Sequence, residues 1–137
     1  MWICPNCQRP FKTTNQSHFC GEKTIDEIFA GKPDNVLLAF DDVLLATESW
    51  EPNVITPARK ALVFSNRRAW LIVRPMSKLL DVSFYTAGPL TAPAIHKSIA
   101  QNEAGTKFRH TVRLHGPGEV TQEVLDLFRL GYDYALS

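Results

Sequence analysis

Between Val54 and Tyr85, apolar and polar residues alternate in short runs separated by turn-forming residues, the pattern of half-buried strands. In the run Lys60–Ser65 the strand phase of Lys60 is ambiguous. In Arg68–Arg74 the alternation predicts Ala69, Leu71 and Val73 on one face and Arg68, Trp70, Ile72 and Arg74 on the other. In Leu79–Tyr85, Leu80, Val82 and Phe84 oppose Asp81, Ser83 and Tyr85. Asn66-Arg67 and Pro75-Met76-Ser77 supply turn chemistry, and connections this short permit only antiparallel pairing. A further run, Phe108–Leu114, sets Phe108, His110, Val112 and Leu114 against Arg109, Thr111 and Arg113. An antiparallel sheet can leave one face to solvent, so the polar sides of these runs form a displayed surface.

Helical spacing governs the flanks. Thr24-Ile25-Asp26-Glu27 opens a short helix that ends at Gly31. From Pro33 to about Glu48, Val36, Leu37, Phe40, Val43, Leu44 and Thr47 form an apolar stripe. A last helix from about Thr121 presents Val124, Leu125, Phe128, Tyr132 and Ala135 to the core, despite Gly131. The segment from Thr86 to Lys107, broken by Pro89 and Pro93, reads as a surface excursion with a helical turn or two at Ala94–Ala100; the alternative is a lid or binding loop. The expected fold class is α+β: an antiparallel sheet of four to five strands with the two main helices packed on one face.

Ahead of this lie all three cysteines, Cys4, Cys7 and Cys20, with His18. Two thiols two residues apart can turn back onto one ion, and His18 with Cys20 completes a tetrahedron. An odd cysteine count prevents complete disulfide pairing within the chain, whereas a Cys3His zinc site uses every thiol. Four protein ligands leave no open position, so Zn²⁺ here is expected to be structural. Residues 1–22 are accordingly read as a zinc module and residues 23–137 as the α+β domain.

Composition adds a charge pattern. The formal net charge is only +1, but residues 21–51 carry eight acidic and two basic side chains, and residues 52–113 carry two acidic and ten basic. Helical regions are therefore acidic and the sheet region basic. No apolar run approaches the roughly 18 residues of a membrane span, and the opening Met-Trp-Ile-Cys-Pro lacks the regions of a signal peptide. The expectation is a cytoplasmic protein with no membrane partner.

The outward set, Lys60, Arg68, Trp70, Arg74, Arg109 and Arg113, joined by Tyr85, combines guanidinium groups with aromatic rings, the ingredients of a surface that grips phosphates and stacks bases. Nucleic acid or another acidic partner is the ligand class this implies. His110 shares its face with Phe108 and Val112 and is read as a hydrogen-bonded core histidine rather than a general base. His96 and His115 are read as loop residues. Neither a nucleophile beside a base, nor paired carboxylates, nor a phosphate-cradling glycine loop is identifiable, so a non-catalytic role is favoured over an enzyme.

The opening Cys4-Pro5-x-Cys7, Phe11, Asn15-Gln16-Ser17-His18 and Cys20-Gly21 resembles the zinc-binding leader of a group of small uncharacterised bacterial proteins. The remainder, roughly Thr24 to Ala135, is similar to the domain of unknown function that follows that leader, through the acidic helix after Gly31-Lys32-Pro33, Arg59–Phe64, Leu79–Phe84, Phe108–Leu114 and the final helix. Relatives attached to larger proteins with restriction-type or nucleic-acid-related neighbours turn the anion-binding reading towards nucleic acid, and the resemblance transfers no catalytic residue. A more distant similarity in element order to frataxin-like proteins is set aside, because the acidic iron-facing surface of that group has no counterpart on these basic strands. The rival functions are a protein-interaction or self-association module, and a small-molecule binder or enzyme using a cleft near residues 86–107 with His96 or His110 participating.

Overall fold

A computed structural model of the protein describes residues 2–3, 10–11 and 25–137. At the start, β1 (Trp2–Ile3) pairs antiparallel with β2 (Pro10–Phe11), Trp2 opposite Phe11 and Ile3 opposite Pro10. The zinc-ligand candidates Cys4, Cys7, His18 and Cys20 lie outside the described residues, as does the boundary placed after residue 22.

The chain from residue 25 onward begins with α1 (Ile25–Phe29), closed by Gly31 at φ 75°, a backbone conformation that side chains with a Cβ resist. Next comes α2 (Asp34–Thr47), which buries Val36, Ala39, Phe40, Val43 and Thr47, one stripe at helical spacing. Thr47 satisfies its buried hydroxyl by donating to the Val43 carbonyl at 2.9 Å. Strands β3 (Val54–Pro57), β4 (Leu62–Ser65), β5 (Ala69–Pro75), β6 (Leu80–Thr86), β7 (Ile95–Ala100) and β8 (Phe108–Leu114) form one sheet in the order β3-β4-β5-β6-β8-β7. Every neighbouring pair is antiparallel. The chain ends in α3 (Gln122–Leu136), whose N-cap residue Thr121 accepts from the Val124 N–H.

The class is therefore α+β, with six strands in the main sheet rather than four to five. The additional strand is β7, which corrects the helical turns expected over Ala94–Ala100. β7 is an edge strand with little of its surface buried, so it lacks the apolar stripe that betrays a strand, and its order comes from backbone pairing with β8. Among the described residues no helix is long and apolar enough to cross a membrane.

One sheet face is the core. Leu62, Phe64, Leu71, Val73, Leu80, Val82, Phe84, Val112 and Leu114 are buried there beneath the helices, with α3 lying over β5 and β6 and α2 touching β6. Gly131 sets how closely α3 can approach: a Cβ placed on it would come within 2.9 Å of Phe84 Cβ.

Strand β5 departs from simple alternation. Phe64 pairs with Leu71 while the next residue, Ser65, pairs with Ala69, so β5 carries an extra residue at this step. Such a bulge turns two successive side chains the same way. Trp70 and Leu71 are both fully buried.

Candidate functional site

The strand register builds the outer face in rows. Arg74 lies opposite Asp81, and Asp81 opposite Arg113. The next row runs Ile72, Ser83, Thr111, Lys97, and the one after it Tyr85, Arg109, Ile99. Residues paired this way stand about 5 Å apart, close enough for long side chains to share a ligand. Asp81 Oδ1 accepts from Arg113 Nε at 3.1 Å. Lys107 Nζ stands 4.7 Å from the centroid of the Tyr85 ring. Among the described residues, Arg74, Lys97 and Arg109 make no side-chain hydrogen bond or ion pair. Five cations thus share this face with one carboxylate, an excess of positive charge that favours an anionic guest.

At the centre of this face the Ser83 and Thr111 hydroxyls meet at 3.1 Å, with the two residues only 3% and 4% exposed. They floor a cup of about 170 Å³, walled by Arg74, Asp81, Lys97, Ile99, Gln101 and Arg109. Two hydroxyls carry two protons, and their mutual bond uses one. The second has no acceptor among the described residues.

Of the residues that alternation assigned to the outer face, Arg74, Arg109 and Arg113 do stand together there. Trp70 does not: the bulge in β5 turns it into the core, where Nε1 donates to Asn53 Oδ1 at 2.9 Å and its rings pack against Trp50, Phe64 and Tyr132. Arg68 is displaced by the same change of phase. Its guanidinium caps the end of α3, donating to the carbonyls of Ala135 (3.1 Å), Tyr134 (2.6 Å) and Ser137 (3.3 Å), and lies over the Tyr134 ring. A cation there neutralises the negative end of the helix dipole. Lys60 sits in the exposed turn between β3 and β4, closed by the Ala58 N–H to Ala61 carbonyl bond, and not in a strand. The structure adds Ser83, Lys97, Gln101, Lys107 and Thr111 to the face. Ser83 already alternated outward between Asp81 and Tyr85, and Thr111 between Arg109 and Arg113; Lys97 and Gln101 could be found only by recognising β7.

A family model described as a domain of unknown function (DUF5655) matches residues 25–135. The chain belongs to this family. The DUF5655 match runs from the first residue of α1 to the penultimate residue of α3 and so takes in the whole sheet, while β1, β2 and the cysteines precede it. No curated protein and no solved structure matches the chain.

Two other parts of the DUF5655 domain carry histidines. His110 is fully buried, and its neighbours define its tautomer. The Thr86 hydroxyl donates to the Gly88 carbonyl at 2.7 Å, so it must accept from His110 Nε2, also at 2.7 Å. Nδ1 is then the acceptor for the Ser98 hydroxyl, again at 2.7 Å. Burial holds this imidazole below its ordinary pKa, partly offset by hydrogen bonding toward Gly88. With both nitrogens committed, His110 ties β6, β7 and β8 together and is not placed to act as a base. The second histidine region is a cleft of about 700 Å³ between the ends of β8 and α3, whose lining includes His96, His115, Glu119 and Glu123. Glu119 accepts from the His115 backbone at 3.1 Å, and Glu123 from the Ala94 backbone at 3.3 Å, so both carboxylates pin loops. Among the described residues no group of three or more His, Cys, Asp or Glu could hold a metal ion.

Proposed function

We propose that the outer sheet face of this DUF5655 domain binds nucleic acid, or another polyanion, without catalysing a reaction. The observation that carries this reading is the segregation of charge. Arg74, Lys97, Lys107, Arg109 and Arg113 meet a single carboxylate, Asp81, on the sheet, while Asp34, Asp41, Asp42, Glu123, Asp126 and Asp133 lie on the helices of the other layer. Guanidinium and ammonium groups on such a face contact phosphates, and Tyr85, half-buried beside Arg109, is the aromatic ring available at its margin. Trp70 and Arg68 take no part, since the core and the end of α3 already use them.

The test is fluorescence anisotropy with single-stranded and duplex oligonucleotides over a range of salt. Phosphate contacts release counterions, so affinity falls steeply as salt rises, and an Arg74→Ala/Arg109→Ala variant loses it. An absence of binding at low salt refutes the reading.

The same proposal includes a structural Zn²⁺ held by Cys4, Cys7, His18 and Cys20. Its support is the ligand spacing, together with the β1–β2 pairing that brackets the segment containing Cys4 and Cys7. Elemental analysis of purified protein should give one zinc per chain, reduced in Cys7→Ser. Thiolate ligation fits a reducing, cytoplasmic setting. The cleft lined by His96 and His115 favours a second reading, a small-molecule binder; it predicts chemical-shift changes confined to those residues on ligand screening.

A further inference from the structure

The cup floored by Ser83 and Thr111 is more specific than a basic face requires. Cations that merely coat a surface for counterion release need neither a recess nor buried hydroxyl groups. Here a polar floor, almost wholly withdrawn from solvent, lies beneath Arg74, Lys97 and Arg109, none of which has an ion-pair partner among the described residues. The one carboxylate on the rim, Asp81, is engaged by Arg113 on its far side.

We propose that this cup is a binding site for a phosphomonoester, the terminal phosphate of a nucleic acid strand, seated end-on with its oxygens on the Ser83–Thr111 pair. The inference rests on the reading of the sheet face as a nucleic-acid surface and names the group it selects. Two features choose a terminal phosphate over one within the strand, and a third chooses a phosphate over a nucleoside. A phosphate inside a strand leaves through two ester bonds, whereas a small recess floored by buried hydroxyl groups suits a group with a single ester link. A monoester approaches two negative charges near neutral pH, against one for a diester, and three unpaired cations reward the greater charge. A volume of about 170 Å³ is that of roughly five or six waters, enough for a phosphate but not for a nucleobase with its sugar. The hydroxyl proton not used between Ser83 and Thr111 supplies a donor at the floor, and Gln101, whose Nε2 already donates to the Ile99 carbonyl at 3.0 Å, keeps one further amide N–H at the rim.

The roles of the walls differ. Arg74 and Arg109 come from interior strands and fix the position of the anion. Lys97 comes from edge strand β7, where it faces Thr111 across the pair. Arg113, paired with Asp81, stays outside the cup and serves the rest of the strand.

The experiment compares anisotropy titrations of the full zinc-loaded chain with one single-stranded oligonucleotide bearing either a terminal phosphate or a terminal hydroxyl. Wild type should prefer the phosphorylated strand by about tenfold or more, a preference abolished in Thr111→Val and in Arg109→Gln and retained in Arg113→Ala, which weakens both strands alike. Far-ultraviolet circular dichroism and melting curves confirm that each variant is folded. Equal affinity for the two strands, with steep salt dependence, overturns the cup and leaves the face reading intact. If neither strand binds, the face reading fails, and calorimetry with phenyl phosphate decides the cup alone: saturable binding lost in Thr111→Val upholds it, and no heat refutes it.

Discussion

Trp70 and Tyr132 meet edge to face, their ring centroids 5.1 Å apart and their planes at 88°. Each also hands its polar atom to the same loop, Trp70 Nε1 to Asn53 and the Tyr132 hydroxyl to the Pro52 carbonyl. The pair therefore joins β5, α3 and the entry to β3 in one buried cluster, with Trp50 5.6 Å from Trp70 and 5.4 Å from Tyr132.

Removing Trp70 strikes this junction. Trp70→Ala is expected to cost about 3–5 kcal/mol, through the lost ring and the cavity left behind, and to leave Asn53 without its donor. Chemical denaturation followed by circular dichroism measures it. A loss below 1 kcal/mol would contradict the burial described.

Gly131 makes the opposite kind of prediction. In an exposed helix, glycine to alanine gains about 1 kcal/mol. In α3 the new Cβ meets Phe84 Cβ at 2.9 Å, so Gly131→Ala should instead destabilise by about 1–3 kcal/mol, as α3 is pushed off the sheet.

Arg68 and Arg74 separate stability from binding. Arg68→Ala removes the cation from three carbonyls at the end of α3 and should lower stability by about 1–2 kcal/mol, leaving the affinity of the folded protein for oligonucleotides unchanged. Arg74→Ala should leave the melting temperature unchanged within error and weaken binding. The reverse assignment of effects would mean that the basic face has been placed on the wrong residues.

His110 gives stability a pH dependence. Burial holds its pKa below the ordinary 6.5, so the unfolded chain takes up this proton more readily than the folded one. The contribution is present in full above about pH 6.5 and is lost progressively as pH falls below it. Between about pH 7.5 and pH 5.5 the wild type should lose stability, and His110→Gln, less stable at the upper pH, should lose less over the interval. Parallel curves for the two proteins would remove His110 as the cause.

Much of this architecture is legible along the chain, and the exceptions have physical causes. Strands β6 and β8 follow strict alternation because each is flanked on both sides and buried on one face, so Leu80, Val82 and Phe84 and their opposites declare themselves. α2 and α3 declare themselves by their stripes. The failures begin where backbone geometry overrides period. One extra residue in β5 reverses the phase of Trp70 and Arg68, and no local residue preference marks that step. β7 escapes because an edge strand needs hydrogen bonds more than apolar side chains, and Lys97 and Gln101 are lost with it. The cup itself depends on four strands brought side by side from positions 74 to 111, a relation that sequence distance conceals.

The position of β7 has a consequence for motion. It pairs on one side only, so among the strands that wall the cup it is the one whose amides open to solvent at the lowest free energy. Lys97 and the floor pair are thus joined across a seam that can unzip from the outside. A guest that bridges Lys97 and Arg109 would act as a clasp on that seam, and slowed deuterium uptake at residues 95–100 would report occupancy while the central strands stayed as protected as before.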